Sequence, residues 1–266
     1  LTETDSVDLN TSTAGTGLIS LNGGSFNVPA GQVVTASVDV NIGTTLSGTG
    51  TVTGVVVVSN GGTIAPGNSP GILNTGPLSL ADASAFEVEL GGTTPGNTTS
   101  NHDQLNVTGA VIIGNSVTLN TILFGGFIPS SGASFVIINN DGTDPVTGTF
   151  NSLPEGAVFD VAGQTFTITY TGGTNSNDVV LTAQGAAETT VSVISDELVI
   201  NDTGTTTNDR LTISSDGTVV TISDANVNLT TDIASAIRVD PRTIQVPVSE
   251  FTGRILVNAF GGADIL

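Results

Sequence analysis

The sequence predicts an all-β protein, and three observations predict it. Val, Ile and Thr are abundant, and these residues suit a pleated surface while losing χ1 freedom in a helix. Short strand-like runs recur along the chain, each bounded by Gly, Asn, Asp or Pro. A helical period is almost missing. Its best match is TTDIASAI at 230–237, where Thr231 or Asp232 would cap one or two turns, and a plain loop reads equally well.

A chain of 266 residues is one long or two ordinary domains, enough to bury a core. Hydrophobic residues make up 38% and Gly adds 34, so the composition is not that of a disordered chain. The core must be aliphatic, because there are ten Phe, one Tyr and no Trp or Met.

In order, the expected strands are QVVTASVDVNI (32–42), TVTGVVVVS (51–59), AFEVEL (85–90) and QLNVTGAVII (104–113). SFVIINN (134–140), TFTITYT (165–171), DVVLT (178–182), LTIS (211–214) and TVVTIS (218–223) follow. TFTITYT alternates, with Phe166, Ile168 and Tyr170 on one face. Such spacing suits either a sandwich or a parallel solenoid whose coils stack on one another. The first 120 residues favour the solenoid, since their candidate inward residues are small and aliphatic and Gly or Asn punctuates nearly every run. Within them GGTIAPGNSPGIL (61–73) reads as a corner between coils. Gly61 and Gly62 turn the chain, Ile64 and Ile72 point inward, and Pro66 and Pro70 sit where no ladder bond is needed. An ordinary surface loop is the alternative.

The run LSGTGTVTG, then VVSNGGTIAPGNSPGIL, LADASAFEVELGG and HDQLNVTGAV, resembles the autotransporter passenger-like repeats of large bacterial surface proteins. The matching positions are Gly48 to Gly54, Gly61 to Gly71 and Asp103 to Val107, and the likeness covers roughly residues 15–183. The resemblance implies a right-handed parallel β-helix over 1–120 and a β-rich cap over 121–183. The Phe residues at 124, 127, 135, 150, 159 and 166 independently indicate a change of core style there.

AQGAAET (184–190) reads as a linker, and 191–266 as a second small β module. The terminal GGADIL resembles the glycine-rich calcium-binding repeats of secreted bacterial proteins through Gly261, Gly262, Asp264 and Leu266. It lacks the second glycine of that motif and occurs once. The chain starts at Leu1 and stops inside this pattern, so a piece of a longer protein is expected.

The formal charge is −20, Lys is absent, and Arg210, Arg238, Arg242 and Arg254 all fall in the last quarter. That argues against nucleic acid and anionic membranes, whose phosphates need Lys and Arg, and no apolar run approaches a membrane span. Without Cys there are no disulfides or thiolate metal sites, and without Lys no isopeptide staples. Acidic turns suit Ca²⁺, which takes six to eight oxygen ligands. NNDGTDP (139–145) and TNSNDVV (174–180) are the densest, and the candidates are Asp141, Asp144, Asp178, Asp209 and Asp264, with turn formation as the simpler role.

His102 has no second His or Cys to complete a zinc site and is expected as a solvated loop residue. Glu87 and Glu89 share a strand face, as a glycosidase pair would, but alternate with Phe86, Val88 and Leu90 and are expected to face water. Polysaccharide lyases on β-helices use Arg or Lys, and residues 1–209 have neither. The expectation is a non-enzymatic structural or adhesive module of a secreted bacterial surface protein, self-associating into filaments or binding neighbouring proteins. A carbohydrate- or cell-binding module is the alternative, and a glycan-active enzyme comes third.

Overall fold

The computed structural model describes residues 6–8, 17–202, 210–225 and 227–258, with the side chains of 6–8 and 185–188 left aside. The protein is all-β with extensive parallel pairing. Among the described residues the only helical turns are the 3-10 turns Phe124–Gly126 and Val248–Glu250. The 230–237 stretch holds the end of strand Asn228–Thr231, a turn, and the start of strand Ile237–Asp240. Its Thr231 hydroxyl accepts the Ile233 N–H two residues on, a local bond that competes with helix.

Two compact units share the chain. The first comprises Leu1–Pro129, Ala133–Ala157 and Ile168–Thr182. Its strands fall into three sheets with parallel ladders. Gly24–Val28, Thr44–Gly48, Thr63–Pro66, Ala85–Leu90 and Thr118–Leu123 follow Ser6–Asp8 across the first sheet. Val33–Val34, Thr51–Val52, Ile72–Thr75, Gln104–Val107 and Ser134–Asn140 lie in the second. Leu18–Leu21, Ser37–Val40, Val56–Val58, Leu78–Leu80, Val111–Ile113 and Val146–Thr147 form the third. From Gly24 onward the chain visits first, second, third and first again, in unbroken rotation to Thr147. Parallel pairing therefore runs past the boundary expected at residue 120.

Register explains why aliphatic residues suffice. Phe26, Leu46, Ile64, Phe86 and Leu119 are successive Cα partners across the first sheet, so like stacks on like at every step. All but Leu119, at the sheet edge, are buried. Each such side chain, removed from water, contributes about 1.5–3 kcal/mol. Beside this core, Asn106 donates to Asn74 (2.9 Å) and Asn139 to Asn106 (3.0 Å), a ladder of amides along the second sheet.

GGTIAPGNSPGIL is not a simple loop. Thr63–Pro66 is a first-sheet strand and Ile72–Thr75 a second-sheet strand, and only residues 67–71 turn between them. Gly67 has φ 88°, and Ser69 shares the left-handed region at φ 75°. A Cβ on Gly67 would collide with the backbone of Gly71. Ile64 is buried as expected, but Leu73 rather than Ile72 is the inward residue. The turn length sets which of two adjacent apolar residues faces in, and that parity is invisible in composition.

After residue 147 the style changes. The Asp178–Ile194 strand pairs antiparallel on Ser134–Asn140, joining Phe135 to Leu181 and Val136 to Val180. Phe150 stacks on Phe86 at 6.0 Å, and the Tyr170 hydroxyl donates to the Leu153 carbonyl while accepting the Phe150 N–H.

The second unit comprises Ser130–Gly132, Val158–Thr167 and Ala183–Leu266. Residues 184–190, expected as a linker, are strand backbone inside Asp178–Ile194, with Thr189 opposite Asp202 and Ala187 opposite Asn228. Backbone ladders need no bulky side chains, so AQGAAET pairs although it looks like a spacer. A four-stranded antiparallel sheet (Leu211–Ser215, Val219–Asp224, Thr243–Pro247, Ile237–Asp240) covers a core of Val191, Leu198, Ile200, Ile222, Leu229 and Ile244.

Candidate functional site

The first unit carries an acidic cleft of about 220 Å³, lined by Ser47, the 65–69 segment, Glu87, Glu89 and Asp103. Strand alternation puts it on the outer face of the first sheet. Phe86, Val88 and Leu90 are buried while Glu87 and Glu89 are partly exposed on the opposite side. Ser47 and Ala65, register partners on the adjacent strands, are small enough to leave the hollow.

Asp103 forms its floor at 2% exposure. The Gly71 N–H donates to Oδ1 at 2.5 Å and the Glu89 N–H to Oδ2 at 2.7 Å. One carboxylate thus ties the end of the APGNSPG turn to the strand bearing the glutamates. Burial pushes the Asp103 carboxyl up to about 7, against the pull of the two N–H donors and with help from Glu89 and Glu87 nearby. Ser69 Oγ donates to Glu89 Oε1 at 3.2 Å. Two glutamates and a buried acid around one hollow can accept hydrogen bonds from hydroxyls, and the buried acid can exchange a proton near neutral pH.

Sequence reasoning placed Glu87 and Glu89 correctly on the outer face but gave Asp103 no part beside them. Its partners lie 14 and 32 positions away. The available signal was the D-x-L-x-V run after APGNSPG.

His102 is not solvated: it is 1% exposed, with Nδ1 3.0 Å from the Gly92 carbonyl and its ring edge-on to Phe135 at 5.4 Å. Desolvation lowers its pKa, outweighing the carbonyls of Gly92 and Val136. Stacking of successive passes buries a polar stretch that looks like loop.

The two densest acidic segments do come together. Asn177 Nδ2 donates towards the carbonyls of Asp141 (3.0 Å), Asp144 (3.3 Å) and Gly142 (3.4 Å), while Asn175 Nδ2 donates to Gly142 (2.7 Å). The carboxylates turn elsewhere. Asp141 Oδ1 accepts the Gly109 N–H and Asp178 Oδ1 the Asn140 N–H, and burial raises the Asp178 pKa. Asp144 meets this cluster through its backbone carbonyl, which Asn140 Nδ2 also reaches at 2.6 Å. Asp209 and Asp264, with Gly261, Gly262 and Leu266, lie outside the described residues. Among the described residues no three His, Cys, Asp or Glu side chains form a metal-sized group, and no helix is long and apolar enough to cross a membrane.

No family model matches the chain, and no curated protein matches it.

Proposed function

We propose that the chain is a non-enzymatic structural or adhesive module of a secreted bacterial surface protein. In this reading its first unit is a right-handed parallel β-helix, the hand being the one the autotransporter-like repeats imply, closed by a β-rich cap. The observation that carries the reading is the rotation of the chain through three in-register sheets. That arrangement stacks backbone on backbone and needs no ligand, disulfide or large aromatic core. Charge fits as well: at −20 without Lys, the surface repels nucleic acid and anionic lipid and remains soluble outside a cell. Self-association and contact with neighbouring surface proteins are the partnerships of such a module. Antibody labelling of intact source cells tests the location, and label appearing only after lysis overturns it.

The acidic cleft favours a second reading, a carbohydrate-binding module, because carboxylates and Ser hydroxyls together suit sugar hydroxyls. A glycan array separates the two: no bound glycan supports the scaffold, and binding lost in Glu87→Gln or Glu89→Gln supports the module. Polysaccharide turnover abolished by either substitution would move the protein to the enzymes.

Calcium belongs to the same proposal. The carbonyls of Asp141, Gly142 and Asp144, beside Asp178, form the oxygen-rich place where an ion would sit in exchange for the Asn177 amide. Chelation then lowers the melting temperature, and a melting curve unmoved by excess EDTA removes calcium.

A further inference from the structure

We propose that the chain cleaves itself at the Asp144–Pro145 bond, through attack of the Asp144 carboxyl on its own backbone carbonyl. This goes beyond the scaffold reading and is compatible with it, because one intramolecular cut per chain is processing and not turnover.

An Asp–Pro bond is well disposed to such a reaction. The side-chain carboxyl closes a five-membered ring on the carbonyl carbon of its own residue, so covalent structure holds nucleophile and target together. Proline leaves as a secondary amine from a tertiary amide. Asp144 and Pro145 are both exposed, which admits water. Among the described residues no donor holds the Asp144 carboxyl, so it is free to turn on its own carbonyl.

To this intrinsic lability the fold adds two donors on the carbonyl that is attacked. Asn140 Nδ2 donates to the Asp144 oxygen at 2.6 Å and Asn177 Nδ2 at 3.3 Å. Both asparagines are buried, at 4% and 2% exposure, so the donors are fixed before the reaction, as stabilisation of a developing oxyanion requires. Asn140 is held by its donor end, since its Oδ1 is buried without a hydrogen-bond partner. Turning that amide over would set oxygen against oxygen at the Asp144 carbonyl. An orphaned buried oxygen lowers stability, and use of the other end of the amide accounts for it.

The step balances with water as the one co-reactant. The carboxyl oxygen bonds to the carbonyl carbon, whose π electrons move onto the oxygen facing Asn140 and Asn177. As the carbonyl reforms, the C–N bond to Pro145 breaks and the carboxyl proton passes to the proline nitrogen. That leaves a cyclic anhydride at residue 144, which water opens to an aspartate with a free α-carboxyl. Since the carboxyl proton is needed, acid favours the cut. The charged groups on the segments around the bond are Asp141 and Asp178, whose Oδ1 atoms accept the Gly109 and Asn140 N–H groups, and no base stands among them. The pieces stay together after cleavage, because Ser134–Asn140 pairs with Asp178–Ile194 and Val111 and Ile112 with Val146 and Thr147.

The chain carries its own control in Asp240–Pro241, whose carboxyl is already engaged: Asp240 Oδ1 accepts the Arg242 N–H at 2.7 Å. The whole chain is incubated at about pH 5 and about pH 8, with and without urea, and its fragments are identified by mass after denaturation. Excess EDTA keeps calcium from competing for the Asp144 carbonyl. In the folded chain at the lower pH, fragments ending at Asp144 and starting at Pro145 are expected to form at least about tenfold faster than those from Asp240–Pro241. Urea abolishes the preference, and the higher pH slows the cut. Asn140→Ala and Asn177→Ala each slow it by about tenfold or more, and Asp144→Ala abolishes it. The comparison with urea uses the unsubstituted chain, so it does not depend on how the variants fold. Equal rates at the two bonds in the folded chain overturn the proposal, as does a preference that persists in urea or a chain that stays whole. None of these outcomes touches the scaffold reading, which falls on the cell-labelling and glycan experiments.

Discussion

Asp103 and His102 are adjacent, buried and pushed in opposite senses. Burial raises the acid to about 7 from an ordinary 3.8 and lowers the base from its ordinary 6.5. The folded state therefore holds a proton on Asp103 at pH values where the unfolded chain has released it. Stability from this group is fully present below 3.8 and is lost as pH rises through about 7, a change on the order of 4 kcal/mol. The histidine works the other way. Its neutral form is favoured in the fold, so its contribution is present above 6.5 and lost as pH falls through the lowered folded value. In the wild type the two slopes oppose as pH falls below about 6.5, where both groups take up protons. Asp103→Asn removes one of them. Urea denaturation across that range is expected to show the variant losing stability steadily on acidification, while the wild type is flatter or reversed. Parallel profiles would show that Asp103 does not titrate there. Asp103→Ala goes further, leaving the Gly71 and Glu89 N–H groups without their acceptor, and is expected to lower stability by about 2–4 kcal/mol in the same assay.

Turns and caps carry the elements. Residues 67–71 join the first sheet to the second with Gly67 at φ 88° hard against Gly71, so Gly67→Ala combines a strained φ with a collision. It is expected to destabilise by more than about 2 kcal/mol, read as a lowered melting temperature, and a neutral effect would mean that the turn relaxes freely. At the far end of the same unit, Tyr170 clips the turn at 150–153 through one hydroxyl serving two backbone groups. Tyr170→Phe keeps the ring near Phe150 and deletes both bonds, for an expected loss of about 1–3 kcal/mol by urea denaturation. A loss below a few tenths of a kcal/mol would show the clip to be replaceable. The amide ladder Asn74–Asn106–Asn139 acts similarly along the second sheet, each Nδ2 serving the neighbour one pass earlier.

Across the whole molecule, 24 acids face four arginines. Among the described residues Arg238 pairs with Asp160 at 2.7 Å and Arg254 with Glu197 at 2.8 Å, and both arginines lie in the second unit with their acids. The first unit's carboxylates repel one another without relief, so raising ionic strength from about 10 mM to about 0.5 M is expected to raise the melting temperature by screening. A flat or falling melting temperature would show that spacing already dissipates the repulsion. Much of this was legible before any coordinates. The Val, Ile and Thr runs declared strands, AFEVEL declared its own inner and outer faces, and the lack of Lys and Cys excluded whole classes of chemistry. Those are short-range or compositional properties, and alternation with period two needs no knowledge of what lies across the ladder. Partners were not legible. Nothing local distinguishes Leu73 from Ile72 as the inward residue, marks AQGAAET as paired backbone, buries His102, or sets Asp103 beneath Gly71. Each depends on which residues one or more passes apart become neighbours. That distance is set by the exact length of every turn between them, so it is decided only when the passes stack.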